Sequence, residues 1–150
     1  ILHIIREVLA FESENKNTDI TEALNYFNNV IKKRSIVFIL SDFISDNFKK
    51  ALKIASKKHD VIAIHIHDKR EHEIPNIGLV ALEDTETQEI SYVDTSNNNL
   101  RESFASRQKE KYIELRKTCK STGTDYINIL TGEDYVGTLI KFFKKRGKRK

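Results

Sequence analysis

The residues best suited to chemistry crowd into one stretch. Residues 59–73, HDVIAIHIHDKREHE, hold four of the chain's five histidines and four carboxylates. His65 and His67 lie two apart in a β-rich segment, so both project from one face of a strand, as two ligands of one ion must. Asp68, Glu71, His72 and Glu73 follow closely enough to complete a shell. On this reading the chain is a metal-dependent hydrolase using Asp42, His65, His67, Asp68 and Glu71. The competing reading is packing, with His65 and His67 beneath a helix and the rest a solvated, charged turn. The helical pair HExxH is absent.

Other chemistries find less support. Ser41 and Asp42 close the apolar run SIVFIL, yet no glycine elbow surrounds Ser41 and no histidine is fixed beside it in sequence. Asp42 and Asp68 would share a site if their strands were neighbours. Cys119 falls on the apolar stripe of a helix, the place of a buried, inert thiol rather than a nucleophile. Phosphate cradles need glycine, because the backbone must approach the phosphates closely. The chain has five glycines, none between Leu40 and Phe48 or between Ile66 and Pro75, and neither GxGxxG nor a P-loop.

The elements that must position these residues alternate. Leu2, Ile5, Val8 and Leu9 make one helical stripe. Ile20, Ala23, Leu24, Phe27, Val30 and Ile31 make a second, with Asp19 and Glu22 at capping-box spacing. SIVFIL is a continuous apolar run of the kind buried on both faces of a parallel sheet. Phe48, Ala51, Leu52 and Ala55 predict a helix, and DVIAIHI a second strand. After Pro75, GLVAL and EISYV flank DTETQ as a hairpin. Leu100, Phe104, Tyr112, Leu115 and Cys119 predict a long helix from Asn98 to about Thr122, ended by Gly123. YINIL is the last strand, and Val136, Leu139, Ile140 and Phe143 stripe the closing helix.

This order predicts an α/β fold of three layers, a mostly parallel sheet flanked by helices and carrying a β-hairpin insertion. Right-handed crossovers put the carboxyl ends of SIVFIL, DVIAIHI and YINIL on one rim, where such folds bind ligands. Ser41, Asp42, His67, Asp68 and Thr131 stand there.

At 150 residues the chain suits one domain. A lone cysteine fits a reducing compartment, and no apolar run approaches the ~20 residues that cross a bilayer. Residues 141–150 hold seven of the 26 basic residues, leaving 19 basic against 22 acidic side chains in residues 1–140. The expected division is therefore a mildly acidic domain, 1–143, and a basic tail, 144–150. That tail reads as a frayed, solubilising end, or as a loose attraction to anionic lipid or nucleic acid.

Two segments, NTDITEAL and RSIVFILSDF, resemble the second and third loops of the metal-ion-dependent adhesion site of von Willebrand factor A domains. Thr18 fits that site's threonine and Asp42, beside Ser41, its aspartate. Hydroxyls, a carboxylate and waters form the oxygen shell that Mg²⁺ demands. Across residues 2–146 the succession SDF, KKHDVIAIHIHD, REHEIPNIGLVALEDTETQEISYVD and YINIL resembles the domain-of-unknown-function 58 family. Asp68, Glu71, Pro75, Gly78, Asp84, Glu86 and Thr87 match its characteristic positions. There are departures. Asn15, Lys16 and Asn17 stand where glycines are common, and Phe43 replaces a frequent glycine. The D-x-S-x-S motif is absent from this sequence.

The resemblance implies a von Willebrand factor A-like, interaction-type domain rather than an enzyme. It also implies a bacterial, cytoplasmic protein, peripheral at the inner membrane face and working with a MoxR-type AAA ATPase. The chain starts at Ile1 and has no Met, so it reads as a carboxyl-terminal piece with its first strands upstream. It would then carry part of the adhesion site and bind no cofactor alone, with Mg²⁺ held in the full-length protein. The bared strand 35–41 would self-associate or be covered by the helix of residues 2–12.

Overall fold

The computed structural model describes residues 2–11, 18–45, 47–83 and 88–148. Helix α1 (Leu2–Ala10) precedes α2 (Ile20–Val30), β1 (Ile36–Ser41), α3 (Lys49–Lys58) and β2 (Asp60–His67). A 3₁₀ turn (Lys69–Glu71) leads to β3 (Leu79–Glu83) and β4 (Ile90–Asp94). Helix α4 (Asn98–Thr122), β5 (Asp125–Leu130) and α5 (Tyr135–Gly147) complete the chain. Strands β1, β2 and β5 form a parallel sheet with β2 in the middle, while β3 and β4 form a separate antiparallel pair. The α/β class, the parallel sheet between helices and the hairpin insertion all stand as the alternation predicts. The expected hairpin turn, with Asp84, Glu86 and Thr87, lies outside the described residues, as do Asn15, Lys16 and Asn17.

Register divides the sheet into two faces. Val37 and Ile39 stand beside Val61 and Ala63, and these four join Ile20 and Leu24 of α2, Ala51, Leu52 and Ala55 of α3, and Leu115 and Cys119 of α4 in the main core. Ile62, Ile64 and Ile127 face the other way, against Leu139 and Phe142 of α5. One face therefore carries three helices and the other carries one.

That asymmetry corrects the expectation for SIVFIL. Strand β1 is not buried on both faces: Ile36, Phe38 and Leu40 are 64%, 47% and 62% exposed. A helix about 10 Å wide covers roughly two strands spaced ~4.8 Å apart, and α5 lies over β2 and β5. It reaches β1 through Phe143, whose ring meets Phe38 edge-on at 6.3 Å. The inward face of α5 is also rotated from the expected stripe. Leu139 and Phe142 pack on the sheet, whereas Val136, Ile140 and Phe143 are exposed. Nor does α1 bury any residue, so it does not seal the β1 edge. Among the described residues β1 pairs with β2 alone.

Helix ends follow local rules. Asp19 caps α2 by accepting from Glu22 N at 3.0 Å, and Asn97 caps α4 by accepting from Leu100 N at 3.3 Å. Gly123, at φ 76°, ends α4 in the left-handed conformation that glycine adopts without strain. The boundary expected at 143 falls inside α5, which runs through Gly147. Arg146 fixes that end by pairing with Asp60 and, at 3.4 Å, with Asp125, the first residues of β2 and β5.

Two leucines in apolar runs should respond differently to truncation. Leu52→Ala empties a site that is 0% exposed and should cost about 2–5 kcal/mol. Leu40→Ala should stay within about 0.5 kcal/mol. Urea unfolding of both variants measures the contrast, and equal losses would show that β1 is buried on both faces.

Candidate functional site

The parallel sheet brings the carboxyl ends of β1, β2 and β5 to one rim, with Ser41, Asp42, His67, Asp68 and Thr131 on it. Thr131 ties the middle of this rim together. Its backbone N donates to His67 O at 2.9 Å, and its hydroxyl donates to Asp68 Oδ2 at 2.6 Å. Asp68 Oδ1 accepts from Arg70 N at 2.8 Å, while Glu71 accepts from Asp68 N at 2.8 Å. This is a reciprocal cap on the 3₁₀ turn. The Thr131 hydroxyl, then the Arg70 amide, lower the Asp68 pKa from its ordinary value. Asp68 and Glu71 thus shape a turn. Pro75 follows it, exposed, and Gly78 accepts at its carbonyl from the buried Thr95 N and hydroxyl, which close the base of the hairpin.

The loop after β1 is folded tightly upon itself. Ser41 Oγ accepts from Phe43 N at 2.9 Å and donates to Asp42 Oδ1 at 3.3 Å, and Ile44 N donates to that same Oδ1 at 3.2 Å. Phe43 takes φ 56°, a left-handed backbone that costs a bulky residue about 1–2 kcal/mol. Its ring is buried against Phe48 and His65, with centroids at 5.7 and 6.0 Å. The turn takes positive φ at this position, and Phe43 offsets that strain by burial. Thr18 is exposed one residue before the Asp19 cap of α2.

His65 and His67 share a face, as their spacing predicts, and their rings stack at 4.8 Å. Both are 6% exposed. His65 Nδ1 shares a hydrogen bond with the Tyr126 hydroxyl at 2.9 Å, and Tyr126 donates to Asn128 Oδ1 at 3.2 Å. His67 Nδ1 shares one with His72 Nε2 at 2.7 Å, and Tyr112 of α4 lies across both rings. The two histidines therefore pack beneath a helix, and among the described residues no group of three His, Cys, Asp or Glu side chains is placed to hold a metal. The first shell required of Asp42, His65, His67, Asp68 and Glu71 is not assembled.

Register does put Ser41 opposite His65, a proximity that sequence spacing hides. The Ser41 hydroxyl is nevertheless committed to its own turn. The Cys119 thiol is buried, which pushes its pKa up to about 11. Sequence spacing alone does not mark Tyr112, Tyr126 and Asn128 as site residues, although YINIL alternation places Tyr126 and Asn128 on the histidine face once its register with β2 is known.

For Mg²⁺, Thr18, Ser41 and Asp42 offer hard oxygen donors of the right kind but one carboxylate among them. They fit part of a shell and not a whole one.

Residues 1–114 match the family described as "Protein of unknown function DUF58". The chain belongs to this family. It is 29% identical over 129 residues to Uncharacterized protein MAV169 of Mycobacterium avium, an alignment covering 85% of this chain and 76% of that protein. It is 26% identical over 132 residues to Uncharacterized protein Mb1516 of Mycobacterium bovis and to Uncharacterized protein Rv1480 of Mycobacterium tuberculosis. In both cases 85% of this chain aligns and spans 40% of the relative's length. No solved structure matches the chain. No helix among the described residues is long and apolar enough to cross a membrane.

The buried histidine face predicts acid sensitivity. Burial first, then neighbouring His67, lowers the His65 pKa from 6.5 to about 4. The unfolded chain binds this proton below about pH 6.5 and the folded chain does not until about pH 4. The His65 contribution to stability is therefore complete above about pH 6.5, and up to about 3 kcal/mol of it is lost on acidification to pH 4. His65→Gln should flatten that slope. Urea midpoints of both proteins at neutral pH and at about pH 5 provide the check.

Proposed function

We propose that this DUF58-family chain is a protein-interaction module rather than an enzyme, and that its contact face is the rim holding Ser41, Asp42, Asp68 and Thr131. The observation that carries this reading is the loop 41–44. It holds the Asp42 carboxylate exposed at the end of β1, on a turn anchored by the buried Phe43 ring. A fixed acidic projection beside hydroxyls is a docking feature. His65, opposite Ser41 in register, is buried and engages the Tyr126 hydroxyl through Nδ1.

The fold is proposed to be von Willebrand factor A-like, with Thr18, Ser41 and Asp42 contributing to an Mg²⁺ site in the longer protein. An acidic side chain of the partner would complete that metal's coordination. The proposed partner is a MoxR-type AAA ATPase, and the proposed location is cytoplasmic, at the inner membrane face. The edge of β1 that pairs with no strand among the described residues is proposed as a second protein contact, open to self-association through residues 35–41.

The test is binding of the full-length protein to a purified MoxR-type ATPase with and without chelator. Chelator and Asp42→Ala should each weaken binding at least tenfold, the loss of one charge-assisted or metal contact. Unchanged affinity in both arms removes the metal-bridged contact.

A further inference from the structure

The same topology that gathers carboxylates at one rim gathers cations at the other. Each helix that precedes or follows a parallel strand runs against it, so α2, α3, α4 and α5 all point their carboxyl ends toward the amino rim of the sheet. Local bonds confirm that convergence. Ser35 N donates to His59 Nδ1 at 3.3 Å, the Ser56 and Thr124 hydroxyls meet at 2.7 Å, and Arg146 bridges Asp60 and Asp125.

Every one of these ends is basic. Lys32, Lys33 and Arg34 follow α2, and Lys57 and Lys58 close α3. Arg116, Lys117 and Lys120 lie on the final turns of α4, and Lys144, Lys145 and Lys148 at the end of α5. All of these side chains are exposed. Asp60 and Asp125, which open β2 and β5, both pair with Arg146, and Asp125 also lines a cleft with Arg116, Lys117 and Lys120; the eleven cations at these ends outnumber these two acids. Complementing helix dipoles accounts for a cation in a last turn. It does not account for Lys32–Arg34, beyond the end of α2, or for Arg116, more than a turn before the end of α4.

Beside the cations lies apolar surface. Val136, Leu139, Ile140 and Phe143 line an open groove of about 450 Å³ that runs along α5 and reaches the amino rim at Phe143 and Lys144. Exposed apolar side chains edged by lysines are the chemistry of a bilayer interface, where rings and aliphatic groups enter the acyl boundary and ammonium groups meet lipid phosphates. A nucleic acid backbone would use the cations and leave the groove idle. Lysine also outnumbers arginine here, which suits diffuse attraction rather than forked phosphate or base recognition.

We infer that the amino rim is a docking surface for an anionic membrane, with the cations of four helix ends as its electrostatic face and the Ile140 and Phe143 end of the α5 groove as its apolar anchor. The inference is independent of the carboxyl-rim reading, since its cations lie at the opposite end of the sheet and it shares none of the same residues.

Co-sedimentation of the chain with phosphatidylglycerol–phosphatidylcholine vesicles, against phosphatidylcholine vesicles and duplex DNA, tests it. Two double variants, Lys57→Gln/Lys58→Gln and Lys144→Gln/Lys145→Gln, probe separate helix ends. Each should lower partition onto the anionic vesicles roughly thirtyfold at low salt, at about fivefold per lysine. Melting curves matching the parent's should accompany that loss. Phe143→Ser should remove the binding that persists at high salt. Equal binding to phosphatidylcholine, tighter binding to DNA than to anionic vesicles, or a loss confined to the Lys144/Lys145 pair would overturn the inference. The last outcome would reduce the surface to a basic tail.

Discussion

Strand β2 is hydrogen-bonded in parallel on both edges, and most of its residues from Val61 to His67 are buried. An interior strand of this kind has to find partners for every amide and cover for both faces at once. β1 and β5 supply the first and the helices supply the second. Parallel pairing also dictates direction. It sends three strand ends, with Asp42, Asp68 and Thr131, to one rim and four helix ends to the other. The candidate contact face and the basic face are thus two consequences of one ladder.

Much of this was legible in the sequence. The limits of α4, the cap at Asp19, the terminator Gly123, the buried set Phe48, Ala51, Leu52 and Ala55, and the shared face of His65 and His67 follow from short-range spacing. What failed depended on how many helices lie on each face. An apolar run such as SIVFIL reads the same whether its second face meets a helix or solvent, and only the position of α5 decides. The same holds within α5, where Leu139 and Phe142 pack on β2 and β5 while Val136 stays exposed and Phe143 reaches only Phe38 of β1. Asn28 is another case: it sits 6% exposed in α2 with neither side-chain atom hydrogen-bonded among the described residues. No pattern of apolar spacing would place it there.

At the rim, sequence spacing names residues but not their hydrogen-bond partners. Spacing offers Asp68 and Glu71 as ligands or family positions, and both cap a turn. It shows no histidine beside Ser41, yet β1–β2 register places His65 directly opposite. Sequence distance measures contacts along the chain, whereas this site is built from contacts across strands. Net charge misleads for a similar reason. A formal +4 describes the sum and hides a separation along the strand axis, which the parallel topology creates.

Phe43 carries a consequence for recognition. Its backbone shapes the Asp42 turn while its ring belongs to the core, so the loop cannot rearrange without withdrawing a buried aromatic. A loop held this way has little freedom left to lose when a partner arrives, and the entropic cost of ordering it has been met during folding. Encounter should then resemble the meeting of two rigid shapes, with selectivity set by fit and with small backbone shifts on association. A receptor of that kind discriminates by excluding partners it cannot match, not by adapting to those it meets.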